Sequence, residues 1–75
     1  MKLTKAQGEL LVNLENGWEV TFKDGYYTQI KEDATQKLWP STFYGLFDNK
    51  LVEKLENGNY TISYDGQQQI RSEDK

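Results

Sequence analysis

Near the start of the chain, apolar residues recur at helical spacing: Ala6, Leu10, Leu11 and Leu14 lie three or four positions apart. Thr4-Lys5-Ala6-Gln7 has the form of a capping box, and Leu3 stands where a hydrophobic staple would. Asn16-Gly17 supplies the left-handed residue that ends a helix, while Gly8 costs about 1 kcal/mol against alanine inside it. The period then falls to two. Trp18, Val20 and Phe22 alternate with Glu19, Thr21 and Lys23, a half-buried strand, and Asp24-Gly25 signals a hairpin. A three-residue loop, Lys23-Asp24-Gly25, would set Phe22 against Tyr26, Val20 against Thr28 and Trp18 against Ile30. A two-residue loop would send Tyr26 and Ile30 to the face opposite Trp18. The three-residue loop keeps one apolar face and is the expectation.

Residues 31–39 carry the weakest pattern, and Asp33-Ala34-Thr35-Gln36 reads as the cap of a single helical turn bearing Leu38 and Trp39. Pro40 suits the first position of a helix, where its missing N–H costs nothing. In that helix Phe43, Leu46 and Phe47 share a face. From Leu51 the period changes again, and Leu51, Leu55, Tyr60, Ile62 and Tyr64 line one side of a ribbon that turns at Asn57-Gly58. Ser63 then starts a short C-terminal helical turn. The expected organisation is one domain over residues 1–71 and a frayed tail over 72–75. A competing parse rests on an internal echo: Leu14-Glu15-Asn16-Gly17 recurs as Leu55-Glu56-Asn57-Gly58, and Asp24-Gly25 as Asp65-Gly66 at the same offset. It would continue the second helix from Ser41 to Asn57.

Composition narrows the possibilities. Seventy-five residues are near the lower limit for a domain stabilised by burial alone, and a dimer partner would help. With no Cys and no His, disulfides and the usual zinc sites are excluded. Ten of the residues are aromatic, and Trp18, Phe22, Trp39, Phe43, Phe47 and Tyr60 are expected to supply much of the core. The net charge of −3 argues against a non-specific nucleic-acid or membrane binder. Neither a signal-peptide pattern nor a run long enough to span a bilayer is visible, so a cytoplasmic protein is expected. Catalysis has little to stand on: there is no Gly-rich phosphate loop or nucleophile elbow, and Glu32-Asp33 and Glu73-Asp74 fall in polar stretches. A non-enzyme without cofactor or metal is the expectation.

Helix, hairpin, linker, helix and hairpin together resemble the winged helix-turn-helix superfamily over nearly the whole chain. Leu3-Thr4-Lys5-Ala6-Gln7 with Asn16-Gly17-Trp18-Glu19, and Ser41-Thr42-Phe43-Tyr44-Gly45-Leu46 with Lys50-Leu51-Val52-Glu53, are similar to stretches of small uncharacterised phage and prophage proteins. Tyr60-Thr61-Ile62-Ser63-Tyr64-Asp65-Gly66 is similar to the second wing strand and following glycine of many such regulators. The resemblance implies an α+β winged-helix domain whose second helix enters the major groove of double-stranded DNA, as a phage-type transcriptional regulator or accessory factor. Ser41, Thr42, Tyr44, Gly45 and Asn49 would then face the bases, and Lys37, Lys50 and Lys54 the phosphates. Asn57 and Asn59 would form the wing tip. The basic residues usual around such a helix and wing are mostly missing. Asp48, Glu53 and Glu56 would repel phosphate. The alternative from a different class is an acidic interaction module, such as a phage-encoded inhibitor of a host nucleic-acid enzyme. Tyr26, Tyr27, Tyr44, Tyr60 and Tyr64 have two readings of their own, as a stacking platform for single strands or as core and partner contacts.

Overall fold

The computed structural model describes residues 3–73 as three helices and a five-stranded sheet. Helix α1 (Lys5–Glu15) opens with the capping box: Gln7 N–H donates to Thr4 Oγ1 (3.2 Å) and Thr4 N–H to Gln7 Oε1 (3.0 Å). It closes on Gly17, whose φ is +103°. There Trp18 N–H donates to Asn13 O (3.0 Å) and Gly17 N–H to Leu14 O (3.3 Å), the paired bonds of a Schellman end.

Three strands follow, β1 (Glu19–Lys23), β2 (Tyr26–Lys31) and β3 (Ala34–Lys37), joined by two tight turns. The first turn corrects the expected register. Lys23 pairs with Tyr26, Phe22 with Tyr27 and Val20 with Gln29, so the loop is the two residues Asp24 and Gly25. Both have positive φ, +55° and +84°, the pattern whose twist matches the flanking strands. Turn chemistry therefore outranks apolar alternation. Its consequence is a buried Gln29, made tolerable because its Oε1 accepts from Asn13 Nδ2 (2.9 Å) and its Nε2 donates to Gln36 Oε1 (3.3 Å). Tyr26 and Ile30 lie on the other face with Thr21, Thr28 and Thr35.

The second turn corrects another expectation. Residues 33–36 do not form a helical turn; Glu32, at φ +52°, reverses the chain and β3 pairs antiparallel with β2. Thr35 and its polar neighbours suit an exposed edge strand, where tertiary pairing outweighs a weak capping signal.

Helix α2 (Pro40–Asp48) begins with Pro40 in its first turn, as expected. It stops at Asp48, so the long helix through Asn57 does not form. Lys50 takes the left-handed position (φ +61°), with Lys50 N–H to Phe47 O and Leu51 N–H to Leu46 O, both 3.0 Å. Strands β4 (Val52–Lys54) and β5 (Tyr60–Ile62) make the hairpin, turning through Gly58 at φ +91°. Val52, opposite Ile62, is the inward residue of β4; Leu51 is buried just before the strand, and Leu55 and Tyr64 do not continue that line. The echoed tetrapeptides thus do different work: Gly17 ends a helix and Gly58 turns a hairpin. Helix α3 (Tyr64–Glu73) is longer than the single turn expected. Ser63 caps it by accepting from Gly66 N–H (3.1 Å), and Ser63 Oγ donates to Lys50 O (2.8 Å), tying α3 to the end of α2.

The sheet order is β3-β2-β1-β5-β4, antiparallel throughout, with Val20 of β1 opposite Tyr60 of β5. Asn13 against Gln29, Phe43 against Tyr27 and Tyr60, and Gly66 against Ile62 place all three helices on one face. The core between the layers is Leu10, Leu11, Leu14, Val20, Phe43, Leu46, Leu51, Val52 and Ile62. Here the aromatic core expected from composition is corrected. Phe43 is its only fully buried ring; Trp18 and Tyr60 flank it, while Phe22, Phe47 and Trp39 are 59%, 46% and 78% exposed. One thin layer of short helices is filled by aliphatic side chains, and the larger rings are displaced to its rim.

Candidate interaction surface

The displaced rings meet one another. Phe22 sits at the end of β1, next to the tight turn, and its ring contacts Tyr27 edge-on at 4.8 Å between centroids. Tyr27 stacks on Phe43 at 4.5 Å and meets Tyr44 edge-on at 5.5 Å. One helical turn after Phe43, Phe47 stacks on it at 5.8 Å and touches Tyr60 at 5.9 Å. The result is a continuous ridge running from the β1–β2 turn across α2 to β5. Phe22, Tyr44 and Phe47 are each about half exposed at its crest, at 59%, 48% and 46%, over a floor of Phe43 and Tyr27. Aromatic pairs of this kind add roughly 0.5–1.5 kcal/mol each beyond burial, so the ridge is pre-organised by its own contacts.

The ridge has one polar handle. The Tyr27 hydroxyl donates to the Tyr44 hydroxyl at 3.4 Å. That hydrogen bond, followed by partial burial and the neighbouring phenols of Tyr44 and Tyr60, pushes the Tyr27 phenol up to about 12. The Tyr27 hydroxyl is therefore neutral at physiological pH. Among the described residues no group of acidic, His or Cys side chains could hold a metal ion, and no helix is long and apolar enough to cross a membrane.

The residues singled out from the sequence do not gather on one surface. On α2, Ser41 and Tyr44 are exposed, Thr42 is half-buried, and Gly45 packs against the Gln7 side chain of α1. The absence of a side chain at Gly45 thus brings two helices of this chain together. Asn49 Nδ2 donates to Gly45 O (2.7 Å), closing the last turn just as Asn16 Nδ2 does with Val12 O (2.9 Å) in α1. Lys50 and Lys54 are exposed beyond α2 and along β4. Asn57 Oδ1 accepts from Asn59 N–H (2.9 Å), and Asn59 Nδ2 donates to Glu19 Oε1 (3.0 Å), fastening the hairpin to β1. Lys37 stands apart: its ammonium lies 4.5 Å from the Tyr26 ring centroid, on the sheet face away from the helices.

Periodicity and ring size place Phe22 and Phe47 in the core, and it is their position in short elements that exposes them. Phe22 is the last apolar residue before a two-residue turn, and Phe47 is the penultimate residue of a nine-residue helix. Each overhangs the layer beneath it. No described protein family matches the chain, and no significant relative was found among curated proteins or solved structures.

Proposed function

We propose that this chain is a non-catalytic protein-binding module on a variant winged-helix scaffold, and that its contact surface is the Phe22–Tyr44–Phe47 ridge. The observation that carries the reading is three half-exposed aromatic rings, Phe22, Tyr44 and Phe47, joined into one ridge through Tyr27 and Phe43. Contiguous apolar surface of that kind marks interaction sites, and aromatic anchors dominate their energetics. What supports the scaffold reading is the succession of α1, β1, α2 and the β4–β5 hairpin; the β2–β3 hairpin departs from it, occupying the place in the chain of the first helix of a helix-turn-helix. The net charge of −3, with Asp48 beside the ridge, favours a partner with basic residues around an apolar groove, such as a protein that itself handles nucleic acid.

The test places a benzophenone photo-crosslinker at position 47 and, as a control, at position 65, in cells of the chain's own source. One adduct of defined mass from position 47, absent at 65 and lost when Phe22→Ser is added, is the expected result. Adducts of equal yield at both positions would refute it.

A second reading, contact with duplex DNA, is favoured by the direct succession of α2 and the β4–β5 hairpin and by the exposure of Ser41, Asn49, Lys50, Lys54 and Asn57. Selection from a random duplex library at low salt, with affinity falling as salt rises, would support it over the first.

A further inference from the structure

The β3 edge offers an interface of a different kind. Leu38 N–H donates to Tyr27 O (2.9 Å), and antiparallel ladders alternate, so Ala34, Gln36 and Leu38 turn their N–H groups toward β2. The N–H and C=O groups of Thr35 and Lys37 therefore point outward, along an edge whose four side chains are all exposed. Charge is ordered along it. Glu32 and Asp33 stand at one end, Lys37 at the other, and Trp39, 78% exposed, follows directly.

That order is self-complementary. A two-fold axis through Thr35 puts Thr35 opposite itself in an antiparallel pair, and the same register sets Lys37 against the partner's Asp33 twice over. The outward amides of Thr35 fall in a hydrogen-bonded position in that register, not between bonds. The other edge, β4, has only three residues. We propose that two copies of this chain associate through β3 to form a continuous ten-stranded antiparallel sheet, leaving the aromatic ridge of each copy free. The occupant is a second copy because the acid and the base that would face each other, Asp33 in the turn just before β3 and Lys37 at its far end, both lie on this one edge. The closed two-fold would also cover an edge that is otherwise a template for uncontrolled pairing.

Sedimentation velocity over a concentration series up to about 1 mM tests this, the range in which a small interface populates its dimer. Wild type is expected to dimerise. Thr35→Pro removes an outward N–H while leaving the bonds to β2, a substitution edge strands tolerate, and should give a monomer with unchanged circular dichroism. Should that variant fold poorly, charge reversal decides the matter. Lys37→Glu sets like charges opposite at two places and should weaken association about tenfold or more, and the double variant Asp33→Lys/Lys37→Glu should recover it. A wild type that stays monomeric throughout overturns the proposal. So does a dimer indifferent to Lys37→Glu, or one that Phe22→Ser/Phe47→Ser dissociates instead.

Discussion

Two helical glycines, given the same substitution, should respond with opposite sign. At Gly8, at the end of the first turn of α1, an added Cβ meets nothing within 4 Å. Alanine there gains helix propensity and loses nothing, so Gly8→Ala should stabilise the domain by about 1 kcal/mol. At Gly66, in the first turn of α3, the same Cβ would overlap the backbone oxygen of Leu51 and come within 2.7 Å of Ile62 Cγ1. The first of these atoms is main chain, fixed where Ser63 N–H donates to it (3.0 Å), and the second is packed in the core. Neither can swing aside. Overpacking costs roughly 1–3 kcal/mol, and against a fixed main-chain oxygen the upper part of that range, about 2–3, applies; less a propensity gain of about 1, Gly66→Ala should be a net loss of about 1–2 kcal/mol. Thermal unfolding followed by circular dichroism reads both. A domain of this size shifts its Tm by about 4–8 °C per kcal/mol, so the two variants should separate by about 10 °C or more, on opposite sides of wild type. A Gly66→Ala protein as stable as wild type would mean that α3 does not dock against the start of β4, and the placement of the helical layer would fail with it.

Three other responses follow from the same packing. Asn13→Ala leaves the buried Gln29 carbonyl without its donor and should cost about 1–3 kcal/mol in urea unfolding, whereas the exposed Gln36→Ala, which leaves the Asn13–Gln29 bond in place, should cost less. Lys50→Gly relieves a left-handed residue at the end of α2 and should raise stability by about 1 kcal/mol, read by the same method. The Tyr27 phenol ionises near 10 when unfolded and near 12 when folded, so the native state holds this proton more tightly. Its contribution is complete below about pH 10 and declines as pH rises through 12; solvent at the ridge limits it to about 1 kcal/mol or less. Alkaline unfolding of Tyr44→Phe, which removes the acceptor, should show a shallower pH dependence over that window.

What could be read from the sequence was whatever local chemistry decides. The capping box at Thr4, the Schellman glycine at position 17, Pro40 at the head of α2 and the turn at Gly58 all depend on a few adjacent residues, and all stand in the structure. Register and side-of-sheet questions depend on partners far away in sequence. Gln29 looks like a surface residue until Asn13 is brought above it, so the alternation rule chose the wrong loop. The helical turn at residues 33–36 failed for a related reason, since a short polar segment has no preference that a neighbouring strand cannot override. Assigning rings to the core by hydrophobicity could not anticipate how thin the helical layer would be. For that reason the ridge was the part of the candidate surface least visible beforehand.

The most direct measurement of the central claim is the affinity of the photo-captured partner, by isothermal titration, for wild type and for Phe22→Ser/Phe47→Ser. Both residues are about half exposed, so the variant should keep the wild-type circular dichroism spectrum, with some loss of thermal stability from the ring contacts removed, while its binding weakens by about a hundredfold or more, as expected when two aromatic anchors are removed. Undiminished binding by a folded double variant would contradict the account, and would move the functional surface of this chain elsewhere.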